Sequence, residues 1–281
     1  MKIKIWGCRG SIASPGKGTL KYGGNTTCVQ VSLNDGTILI FDAGSGIRNL
    51  GNHIIKNPSI NEMYLFFTHA HWDHVNGFPF FRPAYSEKYT IHIRGGMRAK
   101  EVLKSYMDEQ MRAPFFPVGT NNLKANLKFS TGRPKDQQIK NTQIIPIPLN
   151  HPNGGYGFKI IEDGKVFVFM PDNELEGKEF ENGESYYTYH RFIKDADLLI
   201  HDAQYTPKEF EQKEGWGHSA FTSTIKLGML SKVKKLGLFH HDPERTDAQL
   251  DRIGLLAAEI IKKEESSTEC FIVYEGQEIN L

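Results

Sequence analysis

Residues 66–77 read FFTHAHWDHVNG, which places three histidines and an aspartate, His69, His71, Asp73 and His74, within six residues directly behind the apolar run Met63 to Phe67. Neutral imidazole nitrogens and a carboxylate are the usual ligands of zinc, iron and manganese. Their spacing fits neither one helical face nor strand alternation, so the side chains converge only where the chain leaves a strand and turns. A loop can aim all four at one point. A turn that is merely polar would hold the same ionisable groups beside an apolar core with nothing to offset their desolvation.

Other apolar runs end in the same way. IIPIPLN leads to His151, VFVFM to Asp172, LLI to His201-Asp202 and LGLF to His240-His241. Each run brings a ligand type to what would be a shared rim.

At these residues the chain resembles the metallo-β-lactamase superfamily. The hallmark HxHxDH stands as His69-Ala70-His71-Trp72-Asp73-His74, followed in order by a later His, an Asp and a last His. GWGHSA at 215–220 and LFHHDP at 238–243 are similar to motifs of the ribonuclease Z and cyclic nucleotide phosphodiesterase-like branch. The resemblance runs over essentially the whole chain. It implies an α/β fold, the αββα four-layer sandwich, as a single domain over 1–281 with a partly helical basic insert at about 82–140. It also implies two divalent metal ions at the sheet edge, zinc foremost and manganese or iron as alternatives.

The resemblance assigns roles residue by residue. His69, His71 and His151 would hold one metal, and Asp73, His74 and His240 the second, while Asp172 in FMPDNE would touch both. His240 is preferred to His241 because Pro243 then falls three residues after the ligand, where the family has its proline. His218 of the GHS motif would be the general acid, oriented by Asp202 of HDAQ, where the branch has glutamate. Asp73 counts with this pair as catalytic, because its loss would remove metal and activity together. The other reading makes Asp202 a ligand and His218 a helix cap. Asp42 in FDAGSG resembles the family's first motif and reads as a loop-fixing carboxylate. Arg9 and Asn25 lie in CRGS and YGGNTTC, Gly-rich stretches that could reach substrate or be ordinary turns. His53, His92 and His190 show no ligand pattern, and His201 is expected to face away from Asp202.

The elements that must position these groups follow from periodicity. MKIKIWG, TCVQVSL and TILIFDAG read as strands, the last two joined by the turn Asn34-Asp35-Gly36. MYLFFTH, YTIHIRGG, QIIPIPLNH, YGFKIIEDG, KVFVFMPD, DLLIHDAQY and KKLGLFHH continue the pattern. Helices are expected over 97–111, 219–230 and 247–264. Short apolar strands that end in polar loops, with helices between them, suggest two sheets covered by helices.

Composition limits the remaining choices. The chain has 281 residues, 39% hydrophobic and 24% charged, and a formal charge of +1, so nothing global draws it to nucleic acid or membranes. Cys8, Cys28 and Cys270 are far apart and odd in number, which reads as reduced thiols in a cytoplasmic protein. The opening MKIKIWGCRGS shows no export signal.

The expected activity is hydrolysis of a small cyclic phosphodiester, foremost a 3',5'-cyclic nucleotide. A bridging hydroxide would attack phosphorus and His218 would protonate the leaving oxygen. The alternatives are a ribonuclease Z-like RNA 3'-processing endonuclease and a lactonase or β-lactamase-type hydrolase. Residues 82–140 carry 12 Lys and Arg against 5 acidic residues, which keeps RNA in view, but they lack the long Gly- and Pro-rich arm of ribonuclease Z. Apolar residues in FPFFRPAY and RAPFFPVG suggest a homodimer.

Overall fold

A computed structural model describes residues 1–57, 59–95, 100–130, 135–175 and 184–281. Among these residues the strands form two seven-stranded sheets. The first contains β1 (Lys2–Gly7), β2 (Cys28–Ser32), β3 (Ile38–Phe41), β4 (Glu62–Phe67), β5 (Thr90–Gly95) and β6 (Asn126–Phe129), with β14 (Glu278–Asn280) outside β1. The second runs in the order β13 (Glu269–Ile272), β12 (Lys235–Phe239), β11 (Leu198–Asp202), β10 (Lys165–Met170), β9 (Gly155–Glu162), β8 (Thr142–Leu149) and β7 (Gln137–Ile139).

Each sheet is part antiparallel and part parallel, and the parallel parts position the site. β3, β4, β5 and β6 are parallel, as are β10, β11, β12 and β13. The register pairs Phe41 with Phe66, so Asp42 and the histidine loop leave neighbouring strand ends. In the other sheet Met170 pairs with His201 and Asp202 with Phe239, which sets Asp172, Asp202 and His240 side by side. Carboxyl ends of parallel strands are where open α/β sheets place their ligands.

Strand alternation divides the apolar residues into layers. Ile3, Val29, Leu39, Phe41 and Phe66 meet Phe158, Phe167, Phe169 and Ile200 between the sheets. Burying side chains of this size stabilises by about 1.5–3 kcal/mol each. On the outer face of the first sheet, Ile47, Leu50 and Ile54 of α1 (Ile47–Ile55) pack against Ile38, Ile40, Met63 and Leu65. The outer face of the second sheet carries α4 (Glu184–Ile193), α6 (Phe221–Leu230) and α7 (Asp247–Lys263), through Tyr189, Ile193, Phe221, Ile225, Leu250 and Ile253. The described residues also form α2 (Trp72–Val75), α3 (Lys100–Gln110) and α5 (Pro207–Phe210). The layers are those of an αββα sandwich.

The expected helix over 97–111 corresponds to α3, and 97–99 lie outside the described residues. The helix expected from Ser219 begins at Phe221, because Ala220 is extended and serves as its N-cap, while the Ser219 N–H donates to Asp202. Thr246 and Gln249 close a capping box that starts α7 where expected. No helix among the described residues is long and apolar enough to cross a membrane.

Candidate metal centre

β4 ends at Phe67, and the next residues turn into the four-residue α2, with His71 as its N-cap. That turn changes the direction of the side chains, so residues that fit no single period come to one place. One group comprises His69, His71, His151 and Asp172, another Asp73, His74, Asp172 and His240. Within each group the candidate ligand atoms lie within 4.8 Å of one another. Asp172 belongs to both. Its Oδ2 is 3.6 Å from His69 Nε2 and 3.7 Å from His151 Nε2, while Oδ1 is 3.1 Å from His74 Nε2 and 3.4 Å from His240 Nε2. Asp73 Oδ2 completes the second group, 3.1 Å from His240 Nε2 and 3.3 Å from His74 Nε2.

Hydrogen bonds behind the rings settle which nitrogen faces inward. His74 Nδ1 donates to Asp42 Oδ2 at 2.7 Å, His151 Nδ1 to the Gly217 carbonyl at 2.8 Å and His240 Nδ1 to Gln204 Oε1 at 2.8 Å. Each leaves a lone pair on Nε2, as metal-ligating histidines require. Asp42 also accepts from the Thr68 N–H and hydroxyl, so it ties the strand end to His74 as expected of a loop-fixing carboxylate. The Ser11 N–H holds Asp73 Oδ2 at 2.8 Å.

The inward atoms are poorly satisfied by one another. His69 Nε2, His74 Nε2 and Asp172 Oδ1 are buried and make no hydrogen bond. A buried polar atom in that state costs about 1–3 kcal/mol. A set of imidazole nitrogens and carboxylate oxygens with inward lone pairs fits divalent cations of the zinc, manganese or iron kind. Burial holds the His69 ring well below its ordinary pKa and His151 at about 4, so both are neutral and able to ligate. Burial opposes charge on His74 too, but Asp172, Asp73 and Asp42 outweigh it and raise its pKa well above normal, so its Nε2 lone pair becomes free only as a bound cation displaces the proton.

Two glycines keep this geometry. A Cβ on Gly10 would lie 2.5 Å from His240 Nδ1. Gly217 has φ +85°, and a Cβ there would lie 2.2 Å from His151 Nδ1.

A third group contains Asp202, His218 and His240. Asp202 Oδ2 accepts from His218 Nδ1 at 2.5 Å, and its Oδ1 accepts the N–H groups of Gln204 and Ser219, each at 3.1 Å. His240 turns its Nδ1 to Gln204 and its Nε2 to the second group, which leaves this cluster a carboxylate–imidazole pair. Burial works against charge on His218, but Asp202, then Asp172 and Asp73, raise its pKa to about 9. Its ring stacks on His240 at 4.8 Å and lies 5.2 Å from that of His151.

Arg9 and Asn25, which the sequence leaves open between substrate contact and ordinary turn, are both engaged within the fold. Arg9 is fully buried and donates to the carbonyls of Gly23, Asp242 and Arg245, fastening the segment after His240. Asn25 donates to Glu275 and accepts from Ser45. His201 is buried between the Asp202 carbonyl and Asn173. Sequence reasoning missed Gln204 and Glu174. Glu174 accepts the N–H groups of Gly215 and Gly217 and so holds the loop that carries His218. Their only signal was position, two residues beyond Asp202 and Asp172.

His241 turns away and donates to the Val273 carbonyl at 2.7 Å. Burial lowers its pKa from 6.5 to about 3. The unfolded chain therefore binds the extra proton between these values, so this residue's stabilisation is present above pH 6.5 and is lost as pH falls toward 3. Urea titrations of metal-free protein should show the wild type losing about 1.4 kcal/mol more per pH unit than His241→Gln between about pH 6 and 4. Parallel slopes would contradict this.

The layered fold and the paired His/Asp groups define a metal-dependent hydrolase. A model of the beta-lactamase superfamily domain matches residues 37–241, and the chain belongs to that superfamily. It is 23% identical to ribonuclease Z of Picrophilus torridus, over 89% of this chain and 88% of that one. Among solved structures it is similar to the metallo-beta-lactamase fold protein YhfI from Bacillus subtilis, with TM-score 0.71, 16% identity and coverage of 99% of this chain and 98% of that one. It is also similar to unliganded yeast PDE1, with TM-score 0.70, 15% identity and coverage of 100% and 99%.

Proposed function

We propose that the chain hydrolyses a small cyclic phosphodiester, specifically a 3',5'-cyclic nucleotide, with His218 as general acid. The observation that carries this reading is the Asp202–His218 pair set against both donor groups. Two divalent ions bound there would lower the pKa of a water and neutralise phosphate oxygens. His69, His71, His151 and Asp172 would hold one; Asp73, His74, His240 and the same Asp172 the other. His218 keeps a proton on Nε2 because Asp202 occupies Nδ1, and that proton passes to the departing ribose oxygen. Asp202 cannot swing away, since two main-chain N–H groups hold its other oxygen. An alkoxide leaving from phosphorus needs such an acid more than a strained lactam amide does. Zinc is the proposed metal, with manganese and iron the alternatives, and the three free thiols suit a cytoplasmic setting.

The curated relatives named ribonuclease Z favour a second reading, RNA 3'-end cleavage by the same groups. Metal-loaded protein given a panel of 3',5'-cyclic nucleotides, a cyclic ribose phosphate, pre-tRNA and nitrocefin separates them. Turnover of a cyclic nucleotide is expected; cleavage of pre-tRNA alone would transfer the assignment to RNA.

A homodimer is also proposed. Phe80 and Phe115 are 55% and 76% exposed, and Phe80 meets Phe116 edge-on at 5.5 Å, which joins the two apolar segments into one surface. Phe78, Pro79 and Phe81 are buried and belong to the fold. Light scattering should give twice the chain mass, and Phe80→Glu with Phe115→Glu should halve it. A wild-type monomer would end this proposal.

A further inference from the structure

The outer edge of the first sheet departs from the apolar character of the space between the sheets. Ile91 and Ile93 of β5 belong to the outer core, so alternation turns Thr90, His92 and Arg94 toward the other sheet. His92 and Arg94 pair with Tyr64 and Phe66 of β4, and Lys128 of β6 pairs with His92. Tyr64 stacks on His92 at 4.4 Å, and the Arg94 guanidinium lies 6.0 Å from the Tyr64 ring centroid. Positions that hold Leu39, Phe41 and Phe66 on the inner strands hold cations here.

His92, Arg94 and Lys128 line a cavity of about 420 Å³ together with Lys135 and Gln137, reached also by Phe66 and Phe158 from the aromatic core. Among the described residues no carboxylate lines it. His92 is satisfied by Glu62 at 2.6 Å, whereas among the described residues Arg94 has only long contacts to the carbonyls of Ile93 and Lys128, 3.4 and 3.3 Å, and to His92. Among the described residues no ion pair engages Arg94, Lys128 or Lys135. Burial lowers the pKa of Arg94, which reports the cost of keeping that charge half-buried without a counterion.

We propose that this cavity is a second ligand site, separate from the metal centre, which binds a nucleotide through its phosphate monoester. Three cations suit a dianion better than a singly charged diester, and a guanidinium fork matches phosphate oxygens. The volume lies in the usual range for small-ligand sites, and a gap between sheets about 10 Å apart admits a flat base. The phosphate could come from a free nucleotide or from the end of an RNA strand. The site rests on this cavity alone and not on the substrate proposed for the metal centre.

Hydrogen exchange of the full metal-loaded chain tests it with AMP, adenosine and a short 5'-phosphorylated RNA. AMP should slow exchange in β5 and β6 in the wild type and in Asp73→Ala, and adenosine should not. Arg94→Gln with Lys128→Gln should weaken that protection by about tenfold or more, and Lys128→Gln alone by less, with diester hydrolysis unchanged in both. Stronger protection by the RNA than by AMP would assign the phosphate to a strand end, and the reverse to a free nucleotide. AMP protection confined to 68–77 and 215–220, equal protection by adenosine, or protection that survives the double variant would overturn the site.

Discussion

His218→Ala should retain its metals yet hydrolyse a diester with a poor alkoxide leaving group about 10²–10⁴-fold more slowly. The same variant should keep most of its rate on bis(p-nitrophenyl) phosphate, whose phenolate departs with little need of a proton. The contrast follows from the site: His218 spends Nδ1 on Asp202 and lies outside both groups that contain Asp172. Asp202→Asn should resemble it in kind and be milder, because the ring remains but loses its orienting charge. Asp202 raises the pKa of the ring, so the wild-type rate on the alkoxide substrate should fall on the alkaline side as the ring loses its proton. In Asp202→Asn the fall should begin nearer neutrality, since the charge that raised the pKa is gone. Loss of metal from His218→Ala, or equal slowing of both substrates, would mean that a ligand or a binding residue has been taken for the acid.

The parts legible in the sequence were those where a period stops. His69, Asp172, Asp202 and His240 stand just past apolar runs, and a strand end is the one place where an ionisable group can follow a buried run and still face a shared rim. The parallel register then does what the sequence cannot state, since only pairing Met170 with His201 and Asp202 with Phe239 brings segments so far apart in the chain together. Elements with weak periodicity went unread. β13 and β14 are short and half-exposed; α1 was passed over for its glycine and asparagines, although Ile47, Leu50 and Ile54 recur at helical spacing. Arg9 stayed open between substrate contact and ordinary turn, because an arginine in a Gly-rich loop carries no local sign of its partners. Only the fold shows that three carbonyls surround it. Gln204 and Glu174 act through hydrogen bonds across the sheet, 36 residues from His240 for the first and 43 from Gly217 for the second. No local pattern encodes such partners.

Asp172 carries the largest expected loss, because it is the one side chain common to both metal groups. Wild-type protein purified with metal should contain close to two equivalents by elemental analysis. Asp172→Ala should fall well below one, since each group would keep only three donors and lose the negative charge between them. Hydrolysis of both diester classes should fall with the metal, unlike the selective loss expected of His218→Ala. Asp42→Asn provides the graded control. Asp42 touches neither group's inward face, yet it accepts from His74 Nδ1 at 2.7 Å and fixes which nitrogen turns inward. Removing its charge should weaken metal binding by about 10–100-fold and leave the second ion retained only at high metal concentration. If Asp172→Ala still held two equivalents, the carboxylate would be a partner of the imidazoles rather than a bridge. If the wild type held one or none when supplied with metal, the dinuclear assignment would fail at its root, because seven inward donors would then be serving a single ion or the acid pair alone.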